Sequence, residues 1–207
     1  MEQLPLEIFA RAEPAFDNFV AGGNAEALSR VRELAQGLLA EPIVYLWGAG
    51  GCGKTHLLRA AARANPALVL ADDVQALDPD GEQALFSAIN AARDGQARVL
   101  AAGADAPAAL RLREDVRTRL AWGLVYHLAP LTDAEKAAYL RAESRRRGMP
   151  LSEEIVRYLL ARLPRDFSSL AAVLDLLDRH GVARRRAITL PLVREALYGP
   201  GEAKKQQ

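Results

Sequence analysis

The first 130 residues alternate between two hydrophobic periods. Short apolar runs at 43–47, 67–71, 98–102 and 124–128 are typical of buried strands. Apolar residues at three- and four-residue intervals predict amphipathic helices at 25–39, 54–65 and 79–94. Strands that alternate with helices form parallel sheets covered on both faces. The pattern therefore predicts an α/β fold in which helices sandwich a parallel sheet.

The strand pattern stops after Pro130, and only helical spacing continues. The predicted helices are 132–147, 152–163, 166–180 and 189–197. Thr132 followed three residues later by Glu135 is a capping-box pattern, which marks the first of these helices. A change of period predicts a change of domain, so we expect a small all-helical domain at 131–198.

The composition of the two chain ends sets the remaining domain boundaries. Residues 15–130 form the predicted α/β domain. Residues 1–14 are interrupted by Pro5 and Pro14, which predicts an extended arm rather than a domain element. Residues 199–207 contain one apolar side chain, which predicts a flexible tail.

Composition narrows the class of protein. The chain has 27 Lys and Arg against 26 Asp and Glu, so no bulk charge draws the whole chain to nucleic acid or membrane. Its single cysteine, Cys52, excludes an internal disulfide. No apolar run approaches the roughly 18 residues that span a bilayer, and no signal-peptide pattern opens the sequence. We expect a cytoplasmic protein without a membrane partner.

A phosphate-binding motif follows the first predicted strand. The run GAGGCGKT at 48–55 matches Walker A, in which backbone N–H groups and the start of a helix surround phosphate oxygens. The predicted nucleotide contacts are Gly48, Gly50, Gly51, Cys52, Gly53, Lys54, Thr55 and His56. For His56, in the first helical turn, packing is the alternative role. For Cys52, filling the loop is favoured over a catalytic thiol.

Two acidic residues follow the second predicted strand. Asp72 is predicted to hold Mg²⁺ together with the Thr55 hydroxyl, and Asp73 is predicted to orient an attacking water. The alternative is that both acids only end the strand and begin a loop. The motif pair predicts ADP or ATP, with Mg²⁺, as ligands.

The order of these motifs resembles that of AAA+ ATPases, and more closely the bacterial replication initiator DnaA. Residues 16–24 are similar to the initiator segment that leads into the nucleotide pocket, which implies nucleotide contacts from Phe19 and Val20. The run RLAWGL from Arg119 resembles Box VII, whose arginine serves as a finger to a neighbouring subunit's nucleotide. Arg117 is the rival finger, and a surface arginine on a helix is the alternative for Arg119.

The resemblance covers about residues 13–198, so we expect the initiator's C-terminal DNA-binding domain to be missing. An initiator trimmed to its ATPase core, with an arm in front, resembles the DnaA-related regulatory inactivators. The arm is similar to the short peptides that dock on the DNA polymerase III sliding clamp (the beta subunit), with an amphipathic N-terminus as the alternative. The predicted clamp contacts are Gln3, Leu4, Leu6 and Ile8.

This resemblance implies a regulator of replication initiation. It implies that the nucleotide-bound protein, tethered to a DNA-loaded clamp, stimulates hydrolysis of ATP bound to DnaA, and that DNA is reached through the clamp. It also implies a homo-oligomer that covers Arg119. The alternatives are an ATPase of the helicase-loader kind and an adaptor that nucleotide merely stabilises.

The chain departs from the ATPase pattern at two places. Where the initiator has a polar sensor 1, residues 101–105 carry a polar side chain only at Asp105. Where sensor 2 has an arginine, alignment on residues 165–167 puts Val173. Both changes imply weak intrinsic hydrolysis. The arginine runs 145–147 and 184–186 are read as solvated helix ends, with DNA phosphate contact as the alternative.

Overall fold

The structure is a computed structural model that describes residues 13–162, 167–184 and 188–198. The chain divides into two compact units. We call the unit Pro14–Pro130 the base, and we call the described residues from Leu131 onward the lid.

The base is built on a four-stranded parallel sheet with the order β2-β3-β1-β4. The strands are β1 Ile43–Trp47, β2 Val69–Ala71, β3 Val99–Gly103 and β4 Leu124–His127. The helices are α1 Ala25–Ala35, α2 Lys54–Ala64, α3 Pro79–Arg93 and α4 Glu114–Leu120. The predicted α/β fold with a parallel sheet is confirmed.

Both faces of the sheet are buried along its two central strands, β1 and β3. Along β1, Val44 and Leu46 pack into the cluster formed by α1 and α2. Ile43 and Tyr45 pack into the opposite cluster, formed by α3 and α4. Successive strand side chains point to opposite faces, so an uninterrupted apolar run such as β1 is buried on both sides.

Helix α1 is shorter than the predicted 25–39. It ends at Ala35 because Gly37 takes a left-handed backbone with φ of 76°. The Leu38 amide then donates to the Glu33 carbonyl at 2.9 Å, which closes a Schellman-type end.

Helix α4 was not among the predicted elements. It spans seven residues, of which Val116 and Leu120 are buried. Two apolar positions in so short a helix give too little periodicity to be recognised in the sequence.

The lid is all-helical, as predicted. Its helices are α5 Asp133–Arg146, α6 Glu153–Arg162, α7 Phe167–Arg184 and α8 Leu190–Tyr198. They surround an apolar core that includes Leu140, Leu159, Leu174 and Val193. The predicted capping box is present: the Glu135 amide donates to Thr132 Oγ1 at 3.2 Å, and the Thr132 amide donates to Glu135 Oε2 at 2.8 Å.

An ion cluster joins two lid helices. At the end of α5, Arg146 contacts both carboxylate oxygens of Glu143, at 2.5 and 2.7 Å. Arg147 Nε donates to Glu143 Oε1 at 2.8 Å, and its Nη1 donates to Asp175 Oδ1 on α7 at 2.5 Å. Burial raises the pKa of Tyr139 to about 12; the carboxylates of Glu143 and Asp175 add to this, and Arg147 and Arg146 oppose it. Among the described residues, no helix is both long and apolar enough to cross a membrane.

Candidate nucleotide site

The Walker A loop connects the end of β1 to the start of α2. Gly48 begins the loop with φ of 150°. A Cβ at this position would overlap the Leu128 carbonyl oxygen, so the close approach of the two backbones requires glycine. α2 begins at Lys54, which places its N-terminus and free amides at the loop.

The last loop residue is covered by an aromatic ring. Gly53 has φ of 104°, and a Cβ there would lie 2.6 Å from Phe19 Cε2. His56 lies beside that ring, with centroids 5.5 Å apart, and its Nε2 is 3.0 Å from the Ala15 carbonyl oxygen. Burial lowers the pKa of His56, which the Ala15 carbonyl partly opposes. Through these contacts with Ala15 and Phe19, His56 holds the segment that precedes α1 against the Walker A loop.

Lys54 is buried inside the loop. Its Nζ donates to the carbonyl oxygens of Gly48 at 2.6 Å and Ala49 at 3.2 Å. The buried Cys52 thiol lies 3.9 Å from the same nitrogen. The loop therefore holds a fixed ammonium close to the backbone N–H groups at the start of α2, which is the arrangement that phosphate oxygens bind.

The two motifs meet through Thr55 and Asp72. The Thr55 hydroxyl donates to Asp72 Oδ2 at 2.7 Å, although 17 residues separate them in sequence. Asp72 directly follows β2, and α2 packs against the neighbouring β3, which brings Thr55 across to it. A hydroxyl and a carboxylate are hard oxygen ligands, which suit Mg²⁺. These residues fit the predicted metal and would hold it beside the loop.

Asp73 has an unusual backbone. It is the one non-glycine residue with positive φ in the described chain, at φ 47° and ψ 49°. Its amide donates to Asp72 Oδ1 at 3.0 Å. Its own Oδ1 accepts from Gln75 Nε2 at 3.2 Å, and Gln75 Oε1 accepts from the Ala104 amide at 3.0 Å. No role was predicted for Gln75 from the sequence.

The Arg119 guanidinium is held by polar and aromatic groups. Its Nε donates to Asn90 Oδ1 at 3.1 Å, and its Nη1 donates to the Asp115 carbonyl oxygen at 3.1 Å. Its central carbon lies 4.3 Å from the centroid of Phe86 and 5.0 Å from that of Trp122. These contacts fix a partly buried cation between α3 and α4.

Comparisons with known proteins identify the family. The family model described as the Hda lid domain matches residues 133–197 of the sequence. An uncharacterized protein of Haemophilus influenzae is 32% identical over 228 aligned residues, which cover 95% of this chain and 98% of that one. The chain belongs to the Hda and DnaA-like family.

Solved structures share the fold of this Hda and DnaA-like chain. Domain III of the Thermotoga maritima replication initiation protein DnaA has a TM-score of 0.69 at 19% identity, covering 95% of this chain and 98% of that one. AMPPCP-bound DnaA from Aquifex aeolicus has a TM-score of 0.66 at 21% identity, covering 84% and 68%. The predicted AAA+ fold with a helical lid is confirmed.

The end of β3 differs from the DnaA pattern in a way the structure explains. A Cβ on Gly103 would overlap the Tyr45 hydroxyl, which donates to the Asp105 carbonyl oxygen at 2.7 Å. Burial, with the nearby Asp105 carboxylate, raises the pKa of Tyr45. Val173, which alignment put at the sensor 2 position, is buried in the lid core. Residues 165 and 166, on which that alignment depends, lie outside the described residues.

The structure brings some predicted residues together and does not describe others. Gln3, Leu4, Leu6 and Ile8 of the arm lie outside the described residues, as do residues 185–187. Phe19 contacts the loop at Gly53, and the nucleotide contact of Val20 stays a prediction. The arginine run 145–147 is engaged within the lid at Arg146 and Arg147.

Proposed function

We propose that this protein, with ADP or ATP and Mg²⁺ bound, is tethered by its arm to the DNA-loaded sliding clamp and stimulates hydrolysis of ATP bound to DnaA. Membership of the Hda and DnaA-like family supports a partner of the DnaA type. The observation that carries the proposal is the geometry of Arg119, which supplies the finger.

Arg119 has the properties of a prearranged cation. Two of its five guanidinium N–H groups are occupied by Asn90 and the Asp115 carbonyl, and the others keep their fork geometry for phosphate oxygens. The guanidinium lies against the rings of Phe86 and Trp122, which restrict its rotation. Less conformational entropy is therefore lost when Arg119 docks on a phosphate. A finger supplied in trans raises phosphoryl transfer by a factor of about 10³ to 10⁵.

The rival Arg117 lacks such support. Among the described residues, its side chain makes no hydrogen bond or ion pair, although it lies on the same helix. An unsupported arginine samples many rotamers, and holding one of them against a phosphate costs free energy. The contrast favours Arg119 as the finger and makes Arg117 its natural control.

The chain's own site supports activation of a partner more than rapid turnover. The loop, Thr55 and Asp72 provide for nucleotide and metal binding. Strand β3, Val99–Gly103, has no polar side chain, so its end offers the nucleotide site no polar group. We therefore expect weak intrinsic hydrolysis, with nucleotide mainly fixing the form of the protein that DnaA recognises.

The proposed partners follow from the arm and from the finger. Gln3, Leu4, Leu6 and Ile8 dock on the clamp, and DNA is reached through the clamp. A homo-oligomer in which one copy covers the Arg119 of the next keeps the finger away from DnaA until the assembly opens.

The test is hydrolysis of DnaA-bound ATP by purified protein with a DNA-loaded clamp. We expect Arg119→Ala to lose stimulation by at least a hundredfold, because the finger's charge is gone. Arg117→Ala is the matched control and keeps stimulation within a few-fold. Gln3→Ala loses stimulation in the presence of the clamp but keeps Arg119 intact. Equal loss in the two arginine variants would contradict the assignment.

Arg119→Ala also removes packing against two rings, so folding is checked by thermal unfolding. Arg119→Lys keeps the positive charge while losing the planar fork, and we expect it to restore stability more than stimulation. Full stimulation by Arg119→Ala would favour the adaptor. Absence of stimulation by the wild type, with brisk turnover of its own ATP, would favour a helicase-loader type ATPase.

A further inference from the structure

A hydrogen-bonded bridge joins the two strand ends beside the candidate site. Gln75, in the turn after β2, accepts from the Ala104 amide at 3.0 Å and donates to Asp73 Oδ1 at 3.2 Å. A backbone N–H can only donate, and an ionised carboxylate can only accept. The amide oxygen of Gln75 therefore faces Ala104 and its nitrogen faces Asp73, which fixes the direction of the bridge.

The bridge fills the space beyond the end of β3. A Cβ on Gly103 would overlap the Tyr45 hydroxyl and would lie 3.0 Å from Val74 Cγ2 and 3.1 Å from Gln75 Oε1. A side chain at position 103 is therefore excluded. The polar group at this strand end comes from Gln75, which is 28 positions earlier in the sequence.

Asp73 is held at both its backbone and its side chain. Its left-handed backbone is costly for a residue with a Cβ, and the Asp72 carboxylate stabilises it by accepting the Asp73 amide. Gln75 anchors Oδ1. Among the described residues no hydrogen bond engages Asp73 Oδ2, so one carboxylate oxygen is fixed and the other is available.

We infer that Gln75 is a positioning residue for Asp73, and that it takes the place of the polar side chain missing at the end of β3. The inference rests on the proposed nucleotide site of this chain. A base oriented by a third group is a recurrent arrangement in catalysis. Here the Ala104 amide orients Gln75, and Gln75 orients Asp73.

The reaction served is slow hydrolysis of ATP at this chain's own loop. The oxygen of a water molecule forms a bond to the γ-phosphorus, and the bond from that phosphorus to the β,γ-bridging oxygen breaks. The bridging oxygen leaves on ADP with the electron pair. The proton released by the water passes to Oδ2 of Asp73.

Three substitutions at Gln75 test the two hydrogen bonds of the bridge, to the Ala104 amide and to Asp73. Gln75→Ala removes both hydrogen bonds. Gln75→Glu keeps an acceptor for the Ala104 amide but removes the donor to Asp73. Gln75→Asn keeps both chemical groups on a side chain shorter by one carbon–carbon bond of about 1.5 Å, which is too short to span both partners. Gln96→Ala, at an exposed glutamine in the loop after α3, is the matched control.

The first readout is single-turnover hydrolysis of ATP by the full-length chain in excess, without DnaA or clamp. We expect Gln75→Ala, Gln75→Glu and Gln75→Asn to lower the rate by about 10- to 100-fold while the Kd for ATP changes less than threefold. Gln96→Ala keeps the wild-type rate. A Gln75→Ala rate within twofold of wild type, or a wild-type rate no higher than that of Asp73→Asn, overturns the inference.

The second readout is hydrogen exchange of the Ala104 amide by NMR in the chain without nucleotide. Exchange rises about fivefold in Gln75→Ala, as expected for one lost surface hydrogen bond, and stays protected in Gln75→Glu. Equal exchange of the Ala104 amide in the wild type and Gln75→Ala would refute its hydrogen bond to Gln75. Both readouts use this chain alone, so a failure to stimulate DnaA would refute the proposed function without affecting them.

Discussion

The carboxylate of Glu143 is expected to stabilise the lid near neutral pH and to lose that contribution in acid. The hydrogen bond from Arg146 is the main cause that lowers the pKa of Glu143 from 4.5 to about 2; burial opposes it, and Arg147 adds to the lowering. A pKa that is lower in the folded state stabilises the fold above the unfolded value. The contribution is present above about pH 4.5 and disappears as the pH falls towards about 2.

The magnitude follows from the geometry. One pKa unit corresponds to about 1.4 kcal/mol, so the full lowering sets an upper limit of about 3.5 kcal/mol. Arg146 is 72% exposed and is screened by water and salt, whereas Arg147 and Glu143 are 17% and 14% exposed. We therefore expect about 1 to 2 kcal/mol, mostly from the contact between Glu143 and Arg147.

The assay compares the wild type with Glu143→Gln. Urea unfolding, followed by far-UV circular dichroism, gives the free energy of unfolding at several values from neutral pH to about pH 3. The difference between the two proteins should shrink with falling pH, because Gln keeps hydrogen bonding but has no charge to lose. Glu154→Gln, at an exposed carboxylate on α6, is the control and should show no such change. A difference that is constant with pH would refute the reasoning.

Three further predictions test the base. Gly53→Ala should weaken ATP binding at least tenfold by calorimetry, because a Cβ forces aside the Phe19 ring and a left-handed backbone costs about 1 to 2 kcal/mol. Asn24→Ala should lower the free energy of unfolding by about 2 to 3 kcal/mol, because buried Asn24 exchanges two hydrogen bonds of 2.9 Å with the Ala129 backbone. Thr55→Ala should reduce the Mg²⁺ dependence of nucleotide affinity, measured with and without a chelator.

Each of these has an outcome that would contradict it. For Gly53, an ATP affinity of Gly53→Ala equal to that of the wild type would remove the argument from Phe19. For Asn24, unchanged stability would mean that water replaces both bonds. For Thr55, a Thr55→Ser variant should retain the metal dependence, and its loss there would exclude the hydroxyl as a ligand.

Much of the base could be predicted because its signals are local. β1 was predicted at its observed bounds, since five consecutive apolar residues bounded by a glycine loop have few other interpretations. The Walker A loop is contiguous, so its strand, turn and helix are specified within about a dozen residues. The meeting of Thr55 and Asp72 was also expected, because parallel strands present their carboxyl ends at one edge of the sheet.

The sequence by itself thus determined the α/β class, the helical lid and the position of the phosphate loop, since periodicity and motif spacing depend on neighbours along the chain. The tertiary structure alone decided which side chains surround Arg119 and Asp73. Asn90 and Arg119 are 29 residues apart, as are Gln75 and Ala104. Such contacts depend on the packing of α3 against α4 and on the strand order β2-β3-β1, and no local pattern records which distant residue packing brings into hydrogen-bond range.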